Sequence, residues 1–256
     1  MGSLSVIIIT KNEEANLGDC LSSVGFADEV IVVDNNSIDS TVTIAKSHGA
    51  KVFLVNEWPG FGAQKNYALS LATGDWVLSI DADERVSEEL GREIGAVVRE
   101  HETTLDCYEL ARVSWFCGKR MKFSGWSPDP VRRLFRRGAA HFSDHAVHEH
   151  LICKLRVGRL NGNLLHFPFD SLEQVIRKMD HYSSVSATTD RVRVARASLA
   201  QAIVRGLFAF ARTYFFRLGF LDGSHGLALA IANGEGVYYK YAKAWLLEKR
   251  QQGGSF

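Results

Sequence analysis

The sequence predicts a three-layer α/β domain built on a parallel sheet, followed by a helical, basic extension. Three observations predict it. Four apolar, β-branched runs begin at Leu4, Glu29, Lys51 and Asp75, with a helical stretch between each and the next. The runs are continuously apolar rather than alternating, as befits strands covered on both faces. Past about Phe169 the strand pattern stops, and aromatic and arginine residues take over.

Taken in order, Leu4–Thr10 reads as the first strand, 16–24 as a helix stopped by Gly25, and Glu29–Asp34 as the second strand. A helix over 40–48 ends at Gly49, a third strand covers 51–56, a helix over 64–72 ends at Gly74, and a fourth strand covers 75–80. Glycine suits the left-handed turn that ends a helix. Ser87 is placed to cap a helix to about Glu100, with Glu88 and Glu89 in its positive first turn. Strands are expected over 107–115 and 131–136; the Gly- and Pro-containing loop between them, 116–130, is a candidate substrate lid. The expected domains are 1–165, catalytic, and 166–256, helical and basic.

The chain has 256 residues, 46% hydrophobic and 23% charged, which supports a folded protein rather than a disordered one. Net charge is +1 but unevenly spread: residues 1–150 hold 15 Lys and Arg against 22 Asp and Glu, and residues 151–256 hold 15 against 7. The basic half is expected to face something anionic. Four widely spaced cysteines (Cys20, Cys107, Cys117, Cys153) form no CxxC pair and read as reduced thiols. The apolar run Val6–Ile9 is too short, and too poor in flanking basic residues, for a signal peptide, so export is not expected.

Ligands of open parallel sheets bind beyond the carboxyl ends of the strands. Thr10-Lys11-Asn12-Glu13, Asp34 to Thr41, and Asp81-Ala82-Asp83-Glu84 occupy three of those ends. The absence of GxGxxG and GxxxxGK[ST] argues against dinucleotide and P-loop enzymes. Asp81 and Asp83 can instead reach a hard divalent cation that grips a diphosphate.

These three motifs resemble the GT-A-fold glycosyltransferases of family 2, which are inverting enzymes. The stretches 60–66 (GFGAQKN) and 220–223 (FLDG) further resemble bacterial lipopolysaccharide inner-core β-1,4-glucosyltransferases. The resemblance implies a UDP-sugar donor, UDP-glucose, and a lipid A–core glycolipid acceptor bearing a heptose. It also implies Mg²⁺ or Mn²⁺ as cofactor and a peripheral position on the cytoplasmic face of the bacterial inner membrane. Thr10, Asn12, Glu13 and Asn36 would line the nucleoside pocket, and Asp34 would accept a hydrogen bond from uracil. Asp81 would contact ribose or metal, Asp83 would bind the metal, and Lys65 and Asn66 would close over base or phosphates. Asn35 and Asn36 depart from the family's usual Asp-Gly-Ser or Ser-Gly-Ser continuation.

An inverting displacement needs a base for the acceptor hydroxyl. Glu149 is the first candidate and Asp129 the second, with Asp144 also available. His148 is the candidate further metal ligand within the group His141, His145, His148 and His150. One of Arg132, Arg133, Arg136 and Arg137 is a candidate for the diphosphate.

Between Asp190 and Asp222 there are six arginines and no acid, interleaved with Leu207, Phe208, Phe210, Tyr214, Phe215, Phe216 and Phe220. Arg205, Arg212 and Arg217 disfavour a spanning helix, since each central arginine costs about 2.5–3.5 kcal/mol. A segment lying on an anionic membrane surface fits better. Nucleic-acid binding lacks any RNP, KH or zinc-finger pattern. Rival readings are a polyprenyl-phosphate glycosyltransferase, an aspartyl-nucleophile phosphatase and a non-catalytic sugar-binding module.

Overall fold

The computed structural model describes residues 2–100, 104–143, 150–153, 156–189 and 198–251. The chain forms two compact units, Met1–Val113 with Asp129–His166, and Ser114–Pro128 with Phe167–Phe256. The second passage of the chain between them stands at Pro128/Asp129. The segment expected as a lid, 116–130, therefore divides, and most of it clusters with the helical unit.

The first unit opens as a parallel βα succession. Strands β1 (Leu4–Thr10), β2 (Glu29–Asp34), β3 (Lys51–Leu54) and β4 (Trp76–Ser79) alternate with α1 (Leu17–Ser23), α2 (Thr41–Ser47) and α3 (Phe61–Leu71). β5 (Glu84–Val86) and α4 (Glu88–Arg99) follow, then β6 (Cys107–Phe116), β7 (Lys119–Arg120), β8 (Asp129–Arg136), β9 (Ala140–Phe142), β10 (Leu151–Cys153) and β11 (Val157–Phe169). The sheet order is β3-β2-β1-β4-β8-β6-β11-β5, parallel from β3 to β4, with β8 antiparallel to both β4 and β6. Strands β5, β7, β9, β10 and β11 were not expected from the sequence.

Layering follows from the two-residue period of a strand. Leu4, Val6 and Ile8 of β1 join one core with Leu17, Cys20 and Leu21 of α1 and Leu90, Ile94 and Val97 of α4. Ile7 joins a second core with Ala68 of α3, Phe135 and Phe142. Ser87 caps α4 as expected, its Oγ accepting from Leu90 N at 3.2 Å. Gly162 of β11 lies directly on this helix: a Cβ there would stand 2.4 Å from Leu90 N. The four cysteines are free thiols.

The second unit holds α5 (Leu172–Thr189), α6 (Leu199–Ala211), a π-helical turn (Arg212–Phe216), a 3₁₀ turn (Gly219–Asp222) and α7 (Gly223–Gln251). Helices α6 and α7 meet where Gly206 and Gly234 oppose each other; a Cβ on either would lie 3.0–3.1 Å from the other's carbonyl oxygen. Asp222, within the second family-like motif, is 3% exposed. It accepts from Lys122 N and Phe123 N at 3.0 Å and Ser124 Oγ at 2.9 Å. These bonds, together with Phe116 and Met121 in the core beside Val175 and Leu229, fasten the segment that was expected to act as a lid. Among the described residues no helix is long and apolar enough to cross a membrane.

Candidate functional site

The polar ends of β1 and β2 are knitted together. Asp34 is fully buried, and its carboxylate accepts from Thr10 Oγ1 at 2.9 Å, Ser37 N at 2.9 Å and Ser37 Oγ at 2.5 Å. Asn12 and Asn36 both adopt left-handed backbone conformations, φ 56° and 53°, which asparagine tolerates. Asn12 N donates to Ser37 Oγ, Ile38 N donates to Asn12 Oδ1, and Glu13 N donates to Thr41 Oγ1. Asn35, at the departure from the family pattern, is 3% exposed; its Nδ2 donates to the carbonyls of Val55 and Glu57. The two loops are thus held as one rim against the start of the β3–α3 connection.

Beyond β4 lies a linked series of charges. Lys65, on α3 and 4% exposed, places Nζ 2.9 Å from Asp81 Oδ1. Arg133, on β8, places Nη2 2.6 Å from Asp81 Oδ2 and 2.7 Å from Glu84 Oε1. Arg112, on β6, reaches Glu84 Oε1 at 3.2 Å and Asp129 Oδ2 at 2.8 Å. Strand register makes the last contact: Arg112 and Asp129 are direct partners across β6 and β8. Burial works against the charge on Asp81, but Arg133 and Lys65 outweigh it and hold the carboxyl well below its usual value. Burial likewise opposes the charge on Arg133, and Asp81 and Glu84 overcome it. Three cations and three carboxylates thus alternate along the series, each beside an opposite neighbour.

Asp83 faces another partner. Its Oδ2 lies 3.6 Å from His166 Nε2, and His166 pairs with Glu84 across β11 and β5. A carboxylate oxygen and an imidazole nitrogen at that separation suit two positions around one divalent cation. Both oxygens of Asp81 are instead engaged by Lys65 and Arg133. Among the described residues no group of three or more His, Cys, Asp and Glu converges as a metal cage.

Of the other expected residues, Asn66 is engaged with protein: its Nδ2 donates to Phe142 O at 2.9 Å, and its Oδ1 accepts from Phe142 N at 2.8 Å. Among the four arginines, Arg133 alone joins Asp81. Arg132 pairs with Glu109, Arg136 stacks on Trp76 and Arg137 donates to Gly74 O. His150 packs against Ser143, with N donating to Ser143 Oγ at 3.1 Å. Glu149, His148, Asp144 and His145 lie outside the described residues. Sequence reasoning assigned no role to Glu84, Arg112 or His166. Their signal is cross-strand pairing, which becomes visible only once β5, β6, β8 and β11 are in register.

The protein family described as Glycosyl transferase family 2 matches residues 5–154. An uncharacterized glycosyltransferase of Rickettsia typhi is 32% identical over 254 residues, 95% of this chain and 87% of the relative. The lipopolysaccharide core biosynthesis glycosyltransferase LpsC of Rhizobium meliloti is 30% identical over 257 residues, 93% of each chain. Among solved structures, residues 1–349 of S. aureus TarS in complex with UDP align with a TM-score of 0.50 at 18% identity, covering 99% of this chain and 93% of that one. That last likeness is one of fold.

Proposed function

Because the chain belongs to glycosyl transferase family 2 and has its GT-A-type α/β fold, we propose that it moves glucose from UDP-glucose, with inversion, onto a heptose of the lipopolysaccharide inner core. The observation that carries this reading is the charge series Lys65–Asp81–Arg133–Glu84–Arg112–Asp129 at the carboxyl ends of the strands, with Asp83 and His166 beside it. The Rhizobium meliloti relative, named for core biosynthesis, supports the acceptor class.

In this reading Asp83 and His166 hold Mg²⁺ or Mn²⁺, which when bound offsets charge on the leaving diphosphate. Lys65 and Arg133, fixed by Asp81, supply positive charge on the same side. The acceptor oxygen attacks the anomeric carbon as the bond from that carbon to the UDP oxygen breaks, and the acceptor proton passes to a carboxylate. Glu149 and Asp129 are the two candidates for that proton. Asp129 already shares its Oδ2 with Arg112, which favours Glu149. Thr10, Asn12, Glu13 and Asn36 support the nucleoside through the rim that Asp34 organises.

The helical unit carries a run of exposed apolar side chains, Val204, Leu207, Phe208, Phe215 and Phe216, with Arg205, Arg212 and Arg217 among them. In the proposed reading this surface rests on an anionic membrane near its glycolipid acceptor, on the cytoplasmic face. The test is release of UDP from UDP-glucose by purified protein with Mn²⁺ and a heptose-bearing lipid A acceptor. Turnover is expected only with the complete set, and no UDP release in any combination would refute the assignment. Near-normal rates for both E149A and D129A would favour a polyprenyl phosphate acceptor, which is already anionic and needs no base.

A further inference from the structure

Cys107 and Cys153 meet within the first unit. Cys107 opens β6 and is fully buried in the second core, beside Phe135 of β8. Cys153 closes β10, is half-buried and packs against the same core. Strand pairing explains the meeting. Cys107 partners Phe135, the Phe135 ring meets that of Phe142 on β9 with centroids 6.4 Å apart, and Phe142 partners Leu151, two residues before Cys153. Just outside the pair, Asp106 N donates to Arg156 O at 3.1 Å.

The two thiols are hydrogen-bonded to each other; burial first, and then the Cys153 neighbour, push the Cys107 thiol up to about 12. A thiol is a weak donor and a weak acceptor, so this contact adds little hold in the reduced protein. Strands β9 and β10 form a two-stranded sheet of their own, and Asn66 fastens β9 through Phe142. A covalent bond at Cys153 would fasten β10 as well. The other two thiols lack this arrangement: Cys20 is fully buried in the first core, and Cys117 belongs to the second unit. A single buried cysteine is explained as a small apolar side chain. Two thiols in contact from different strands, one of them half-buried, are also a dithiol that an oxidant can close.

We propose that Cys107 and Cys153 are a reversible oxidation site, at which a low-molecular-weight disulfide such as oxidised glutathione joins the two sulfurs and fastens β10 to β6. Cys153 is the entry point because it is the less buried. Its thiolate attacks one sulfur of the oxidant, whose S–S bond breaks and releases a small thiolate that takes up the Cys153 proton. The Cys107 sulfur then attacks the Cys153 sulfur of the mixed disulfide. That bond breaks, and the second small thiolate leaves with the Cys107 proton. Two protein thiols are oxidised, and one small disulfide is reduced to two thiols.

The test is incubation of the folded full chain with oxidised glutathione, then alkylation of the remaining thiols and mass mapping of the peptides, for wild type, C107A, C153S and C20S/C117S. Wild type is expected to form one intramolecular link, between the Cys107 and Cys153 peptides, which dithiothreitol reverses. C107A, which keeps the core apolar, is expected to stop with glutathione on Cys153, and C153S to leave Cys107 unmodified. C20S/C117S is expected to match wild type. Oxidised wild type is expected to melt about 4 °C or more above the reduced protein, since the link constrains the unfolded chain. The wild-type map and melting temperature need no variant to fold. Wild type that stays reduced, that keeps glutathione on Cys153 without closing the link, that links Cys20 or Cys117 instead, or that melts lower once oxidised overturns the proposal.

Discussion

Replacing Arg133 by Met removes the cation that joins Asp81 to Glu84. Its Nη2 sits 2.6 Å from one carboxylate and 2.7 Å from the other, and the Glu84 side chain is 0% exposed. The methionine fills part of the volume but leaves two carboxylates facing each other. Breaking a buried ion pair by removing one partner costs about 3–5 kcal/mol. Lys65 remains on Asp81 and Arg112 on Glu84, which puts the expected loss near the lower end, about 3 kcal/mol. At ~2–4 °C per kcal/mol for a domain of this size, the melting temperature should fall by roughly 6–12 °C. Thermal unfolding at neutral pH measures it, with D81N and the R133M/D81N double variant completing a cycle. The double variant should lose less than the two single losses added together, because both remove the same pair. A melting temperature for R133M unchanged from wild type, or strictly additive losses, would refute the view that these three side chains form one interdependent unit.

Glu29 gives the pH dependence. Burial opposes its charge, but Lys51, Ser5 and Thr73 overcome it and lower its carboxyl from 4.5 to about 2. Its contribution is therefore complete above pH ~4.5 and is lost as pH falls toward ~2; the stability gap between wild type and E29Q, read by denaturant titration at each pH, should close over that window. For Asp222→Ala, loss of the acceptor for Lys122 N, Phe123 N and Ser124 Oγ should cost about 3 kcal/mol or more. Limited proteolysis should then cut within 114–128, and an unchanged digestion pattern would contradict the clasp. Gly162→Ala drives a methyl into the backbone of Leu90, and chemical denaturation should show a loss of about 1–3 kcal/mol.

The three βα repeats and the fourth strand were legible because of local signals: uninterrupted Val and Ile in β1 and β2, and a glycine after each of the three intervening helices. Asp81 and Asp83 were legible by position, since they follow the fourth strand. β11 was not, because VGRLNGNLLHFPF mixes two glycines, two asparagines and a proline into a strand. Its reason to be extended is tertiary: Leu164, Leu165 and His166 pair with β5, and Gly162 lets the strand lie against α4. His166 was missed with it. Helix α3 starts at Phe61 rather than Gln64, so Gln64 and Lys65, both buried, stand a turn inside the helix rather than at its start. The phenylalanine- and arginine-rich segment announced an unusual surface, while Asp222 gave no hint that it would bind backbone some hundred residues earlier.

The grip of Asp222 on Lys122 and Phe123 also has a kinetic corollary. Two amide protons in an otherwise irregular stretch owe their shielding to a side chain at the doorway of α7. Deuterium should enter at both positions together, at a rate set by fraying of that distant doorway. Isotope uptake at residues 122 and 123 would then serve as a remote gauge of how often the C-terminal helix lets go.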